Sequence, residues 1–115
     1  MDFMDISPMD VDSGLFHFDG DKKFMCEMLD VFLKGLPERL VELRTALQEN
    51  NANALARLAH NLKGTCLNFG TEPLATISAE LEDMGKHEDI ESTPALLEQL
   101  QSESLRLQKF VEENL

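Results

Sequence analysis

The stretch that decides the fold is ALARLAHNLKGTCLNFG, residues 54–70. On a helical wheel at roughly 100° per residue, its apolar residues fall within one arc about 100° wide. That arc must face a core, and it contains Leu55, Leu58, Ala59, Leu62, Cys66 and Phe69. Gly70 follows directly, as a glycine does where a helix ends. The stretch therefore predicts an amphipathic helix over residues 52–69.

The chain before this stretch predicts two helices separated by a break. A shorter helix covers residues 21–34, and Gly35 and Pro37 then punctuate the chain. Pro37 fits the first turn of a longer helix, in which leucines recur at residues 36, 40, 43 and 47. The shorter helix would either pack as a lid or extend the first bundle helix.

Two more helices follow the stretch. Thr71 caps the first and Gly85 ends it, and Ser92 or Thr93 opens the second after a polar loop. No segment alternates with period two, so no strand is predicted. Four long amphipathic helices joined by short loops predict an all-α fold: an antiparallel up-down-up-down four-helix bundle with an additional N-terminal helix.

The length of the chain indicates a single domain. A chain of 115 residues can bury one core without disulfides. Residues 1–13 are acidic and show no clean period, so we expect a flexible N-terminal arm there and the bundle over residues 14–115.

Asp10–Gly14, at the end of the arm, is faintly similar to a calcium-binding loop. Its glycine is not at the position that such a loop requires, so no calcium site is predicted.

The acidic composition excludes several classes of partner. The chain has 22 acidic and 10 basic residues, which give a formal net charge of -12. Nucleic acids and anionic membranes both require a basic face, so we expect neither as a partner. No signal peptide and no apolar run of membrane-spanning length occurs, which predicts a cytoplasmic protein. Cys26 and Cys66 lack a zinc-binding spacing and are expected to be buried thiols.

The outer face of the deciding stretch holds the candidate nucleophile. His60 falls roughly 150° from the centre of the apolar arc and therefore faces solvent. An imidazole is a capable nucleophile at neutral pH. Gly64 lies one turn later, where a glycine costs about 1 kcal/mol relative to Ala. Because Gly64 points away from the core, its remaining use is to clear space so that another molecule can approach the ring.

Four neighbours of His60 complete this candidate site. Arg57 and Lys63 lie within one turn, and their charges would offset that of a phosphoryl group on the imidazole. Leu67 is an apolar residue on the outer face, where it predicts the floor of a docking patch. Ala56 lies one turn before His60 on the same face. We expect Ala56, Arg57 and Leu67 to contact a partner.

The chain resembles the histidine-containing phosphotransfer (HPt) domain family at these residues. His60 through Gly64, followed by Gly70, match the family signature H-x-[LIV]-K-G-x5-G, and the likeness extends over about residues 15–114. The resemblance implies that His60 accepts the phosphoryl group, that Lys63 lies near that group, and that Gly64 gives a receiver domain access. It also implies a polar residue on the following helix that hydrogen-bonds the ring. Glu82 is the candidate by its spacing.

The resemblance further implies response-regulator receiver domains and a hybrid histidine kinase as partners. The receiver would contribute Mg²⁺, and the chain itself would hold no cofactor and no metal. No GxxxxGK[ST] or other glycine-rich phosphate loop is present, so the chain should not phosphorylate itself. We expect a monomer, because no spare apolar helix face is evident.

Two rival functions remain open. The first is a non-catalytic helical adaptor, which would dock receiver-like partners through the same surface and never carry phosphate. The second is the HPt domain of a larger sensor or chemotaxis kinase, although Met1 and a last helix that runs to the C-terminus favour a free-standing protein. An unrelated four-helix bundle would not need Gly64 on an exposed face.

Overall fold

The computed structural model describes residue 3 and residues 5–115, which form five α-helices and no strand. These helices are α1 (Val11–His17), α2 (Lys22–Gln48), α3 (Ala52–Asn68), α4 (Glu72–Lys86) and α5 (Thr93–Asn114). The four long helices enclose one core, in which α2 and α4 each contact both α3 and α5. The predicted fold class, an all-α four-helix bundle with an additional N-terminal helix, is confirmed. Within the described residues, no helix is both long and apolar enough to cross a bilayer.

The additional helix is α1 and not the predicted helix over residues 21–34. Those residues are the first half of α2, which continues without a break through Gly35 and Pro37. Of the two placements considered, extension of the first bundle helix is therefore correct. The buried stripe of α2 continues on both sides of the proline through Phe32, Leu36 and Leu40. Burial of that stripe offsets the hydrogen bond that a proline removes from a helix.

The domain boundary predicted after residue 13 falls inside α1. Met9 is 2% exposed and belongs to the core. Asp10 caps α1, and its backbone N–H donates to the carbonyl of Gly70 at 2.8 Å. The guanidinium of Arg106 on α5 donates to the carbonyl of Ile6 at 2.6 Å. These contacts join residues 6–10 to the bundle, whereas part of the predicted arm, at residues 1, 2 and 4, lies outside the described residues.

The turn between α3 and α4 needs its glycine. Gly70 has a φ of 70°, and the backbone N–H of Thr71 donates to the carbonyl of Cys66 at 2.9 Å. The N–H of Gly70 donates to the carbonyl of Leu67 at 3.2 Å, which completes a Schellman motif. The predicted side-chain cap of α4 is absent, because the Thr71 hydroxyl donates to the carbonyl of Cys66 instead. The turn thus holds α3 and α4 as an antiparallel pair.

Small residues bring the backbones of α3 and α4 close together. A Cβ atom at Gly85 would lie 2.7 Å from the carbonyl oxygen of Ala52 and 2.7 Å from the nitrogen of Ala56. Gly85 is the penultimate residue of α4, one residue before the helix end that it was predicted to mark. Gly85 allows α3 and α4 to approach each other closely, and a larger residue at this position would not permit that contact. We call this contact of Gly85 with Ala52 and Ala56 the glycine seam.

Candidate functional site

His60 lies on the outer face of α3 with its ring held by one hydrogen bond. Its side chain is 64% exposed, and its Nδ1 atom lies 2.8 Å from Oε2 of Glu82. An ionised carboxylate only accepts hydrogen bonds, so Nδ1 must carry the ring proton. The other nitrogen, Nε2, is then left with the free lone pair of the neutral imidazole. The geometry therefore orients His60 as a nucleophile that reacts through Nε2.

Glu82 is a buried carboxylate with three cationic or polar partners. Its side chain is 6% exposed, and Oε1 accepts from Nζ of Lys63 at 2.6 Å. Oε2 is shared between His60 and Nζ of Lys86, which lies 3.2 Å away. The hydrogen bond from Lys63 is the main cause that lowers the pKa of Glu82 from 4.5 to about 2, with Lys86 and His60 adding to it against the opposing effect of burial. Glu82 is therefore ionised at any physiological pH.

The glycine seam places Glu82 within reach of α3. Glu82 lies one turn before Gly85 on α4, and His60 lies one turn after Ala56 on α3. Because the two helices are antiparallel, these positions come opposite each other beside the seam. The close approach of the backbones lets the carboxylate extend past α3 to the outer face, where Nδ1 of His60 meets it.

Gly64 leaves an open surface next to His60. A Cβ atom built on Gly64 would meet no atom within 4 Å, so no packing within the described part of the chain requires a glycine there. Leu67 lies on the same face of α3 and is 49% exposed. The surface beside Nε2 is therefore unobstructed and contains one large apolar side chain.

The structure separates two of the predicted contact residues from the Glu82 cluster. Arg57 lines a cavity between α2 and α3 together with Arg39, so it lies on the opposite flank of α3 from Glu82. Arg57 is nevertheless exposed and lies within one turn of His60, so its role beside a phosphoryl group stays a prediction. Ala56 is half-buried, and its backbone forms part of the glycine seam, which leaves it little surface for a partner.

Lys86 is the residue of this cluster that the sequence analysis missed. It follows Glu82 by one helical turn, and this i, i+4 spacing of an acid before a lysine was the signal that could have found it. The other two histidines make only local contacts: Nδ1 of His17 lies 2.9 Å from the carbonyl of Ser13, and Nδ1 of His87 lies 2.8 Å from that of Asp83. Over the described residues, no three His, Cys, Asp or Glu side chains are grouped to hold a metal ion.

A four-helix bundle that presents an oriented histidine in this way is characteristic of one class of protein. Residues 27–110 match the family model described as Hpt domain, and the chain belongs to that family. It is 25% identical over 85 residues to phosphorelay intermediate protein rdeA of Dictyostelium discoideum. That match covers 74% of this chain and 34% of the relative, so the chain spans about a third of the length of rdeA.

Two solved structures share the fold. Histidine-containing phosphotransfer protein B (HptB) from Pseudomonas aeruginosa PAO1 is 29% identical, with a TM-score of 0.85 over 94% of each chain. The HPT domain of a sensor hybrid histidine kinase from Shewanella is 22% identical, with a TM-score of 0.77 over 93% of this chain and 92% of that domain. The second likeness concerns the fold alone.

Proposed function

We propose that this chain carries a phosphoryl group on His60 between receiver domains of a two-component phosphorelay. One observation carries the proposal: a buried, ionised Glu82 holds Nδ1 of an exposed histidine, while Nε2 faces an unobstructed surface. Family membership supports it, as does the similarity to a protein named a phosphorelay intermediate. The histidine-containing phosphotransfer protein from Pseudomonas aeruginosa provides further support.

The transfer step follows from the orientation of the ring. The lone pair of Nε2 attacks the phosphorus of a receiver's phospho-aspartate in line, forming a P–N bond as the P–O bond breaks. The aspartate carboxylate leaves with the electron pair of the broken bond. The ring keeps its proton on Nδ1 and becomes positively charged, and the Glu82 carboxylate balances that charge at 2.8 Å. The reverse reaction passes the group to the aspartate of a second receiver.

The remaining site residues support docking and charge balance. Lys63 supplies a cation one turn from His60 for the phosphoryl oxygens. Gly64 leaves room for the receiver's phospho-aspartate to reach Nε2, and Leu67 offers an apolar contact for the receiver surface. The bundle thus contributes a positioned nucleophile, which removes much of the entropic cost of bringing the two reactants together.

The proposed partners are response-regulator receiver domains and a hybrid histidine kinase. Mg²⁺ would belong to the receiver, where it neutralises charge on the transferring group. The chain would act without a cofactor of its own and without autokinase activity, as a cytoplasmic monomer. A net charge of -12 supports a protein partner over nucleic acid or an anionic membrane.

Transfer from a charged receiver tests the proposal directly. The chain is incubated with Mg²⁺ and a receiver domain phosphorylated by acetyl phosphate, and intact mass reports a gained phosphoryl group. We expect acid-labile, alkali-stable label on the wild type and on His87→Gln, a matched control at another exposed histidine. We expect none on His60→Gln. The opposite outcome is that no receiver in a broad panel labels the wild type, while the wild type and His60→Gln both still bind a receiver. The chain is then an adaptor.

A further inference from the structure

The Glu82 carboxylate has more donors than it needs for the unphosphorylated state alone. Lys63 occupies Oε1 at 2.6 Å, and His60 and Lys86 both occupy Oε2. Lys63 is 30% exposed and Lys86 is 61% exposed, so Lys63 is the more enclosed partner. One lysine would already neutralise the carboxylate. The presence of the second lysine is left unexplained by the proposed transfer step.

A phosphoryl group on His60 changes the balance of charge in this cluster. Phosphorylation adds about -1.5 to -2 charges and three strong acceptor oxygens at Nε2. Lys63 lies on the same helix as His60, three residues later, so its ammonium group can turn from Glu82 to the new acceptor. Lys86 belongs to α4 and is anchored one turn from Glu82. If Lys63 turned away without a replacement, Oε1 of Glu82 would lose its donor while the charged ring of His60 stays on Oε2, and an oxygen of a buried carboxylate without a partner is costly.

We propose that Lys86 is a positioning residue for phosphotransfer: it keeps the Glu82 carboxylate paired while Lys63 turns to the phosphoryl group on His60. This inference rests on the proposed function. In this exchange, Lys86 replaces Lys63 as the main partner of Glu82, and Lys63 becomes free to pair with the phosphoryl oxygens. Lys86 therefore acts through Lys63 and does not contact the phosphoryl oxygens itself. Glu82 stays ionised throughout and continues to hold Nδ1 of the ring.

The ionisation of the phosphoryl group itself reports where Lys63 is. An ammonium group paired with the phosphoryl oxygens favours their fully charged form and lowers the pKa of the phosphoryl group. Phosphoramidate phosphorylates histidine side chains in water without any receiver. Replacing His17 and His87 by Gln leaves His60 as the one histidine of the sequence, and titration followed by ³¹P NMR then reads a single site.

In this background, Lys63→Met should raise the pKa of the phosphoryl group by about half a pH unit, the effect of one near-surface charge. Lys86→Met should raise it almost as far, because Lys63 then stays on Glu82. The double variant Lys63→Met/Lys86→Met should titrate like Lys63→Met. Lys34→Met, which breaks a more exposed i, i+4 pair with Asp30 on α2, should titrate like the wild type.

Two results would overturn the exchange. If Lys86→Met titrates like the wild type, Lys63 does not need a replacement at Glu82. If Lys86→Met raises the pKa of the phosphoryl group equally with and without Lys63, Lys86 acts on that group by its own charge. Glu82→Gln adds a further check, since a neutral side chain should not retain Lys63 and Lys86→Met should then have no effect. Because no receiver is used, failure of receivers to label His60 counts against the proposed function alone.

Discussion

Two glycines inside helices form a matched pair of perturbations with opposite expected signs. At Gly64 a Cβ atom meets nothing within 4 Å, so Gly64→Ala should stabilise the protein by up to about 1 kcal/mol through helix propensity. At Gly85 the Cβ atom would lie 2.7 Å from two backbone atoms of α3, which cannot move without shifting the helix. Overpacking of this kind costs about 1–3 kcal/mol.

The net effect of Gly85→Ala is a loss of up to about 2 kcal/mol once the propensity gain is subtracted. The two variants should therefore differ in unfolding free energy by about 1–3 kcal/mol. With a urea m-value of about 1–2 kcal/mol/M for a domain of this size, their unfolding midpoints should lie about 0.5–3 M apart. Far-UV circular dichroism is the suitable probe, because the chain contains no Trp and no Tyr.

The glycine seam should also affect phosphotransfer, and Gly85→Ala tests this effect. An α4 displaced by Gly85→Ala should draw Glu82 away from Nδ1 of His60, so transfer from a charged receiver should slow in the folded variant. Gly64→Ala leaves the glycine seam unchanged and should retain the 2.8 Å contact between Nδ1 of His60 and Oε2 of Glu82. If Gly85→Ala is stabilised as much as Gly64→Ala, the two helices are not in close contact and the reasoning about the seam is refuted.

Three further outcomes are expected. Because the pKa of Glu82 is lowered from 4.5 to about 2, the stability that its pairing contributes should be full above pH 4.5 and lost as pH falls through about 2. In urea titrations over that pH range, the free energy of unfolding of Glu82→Gln should depend less on pH than that of the wild type. Burial raises the pKa of the Cys66 thiol to about 11, so a thiol reagent at neutral pH should modify Cys66 only in urea, as mass mapping can show. Gly64→Leu should leave the free energy of unfolding within about 1 kcal/mol of wild type yet reduce receiver transfer at least about tenfold, and unchanged transfer would contradict the docking role.

The sequence predicted the elements that depend on local pattern. The apolar arc of α3 and the glycine at its end follow from periodicity and from backbone freedom, and both are present. The resemblance to HPt domains implied a polar partner for the ring on α4, and spacing on that helix then selected Glu82, which lies 2.8 Å from Nδ1 of His60. The apolar arc and the glycine are signals within a single helix and its adjoining turn, where sequence distance and spatial distance agree.

The parts that escaped prediction depend on contacts between distant segments. Pro37 stays inside α2 because a buried stripe continues past it, and Met9 joins the core because α1 docks on the α3–α4 turn. Gly85 was read as a helix end, since the sequence alone does not reveal the backbone of Ala56 beside it. In each case tertiary packing overrode a local preference.

The glycine seam and the cluster around Glu82 explain each other in physical terms. A buried carboxylate is stable only when paired, and the partners that pair it come from both α3 and α4. Both helices can supply partners to one carboxylate only where their backbones approach closely, which is what Gly85 permits. Glu82 in turn fixes the tautomer of His60 without covering Nε2. The chain therefore keeps its nucleophile exposed and oriented at once, because the orienting group approaches from beneath the ring.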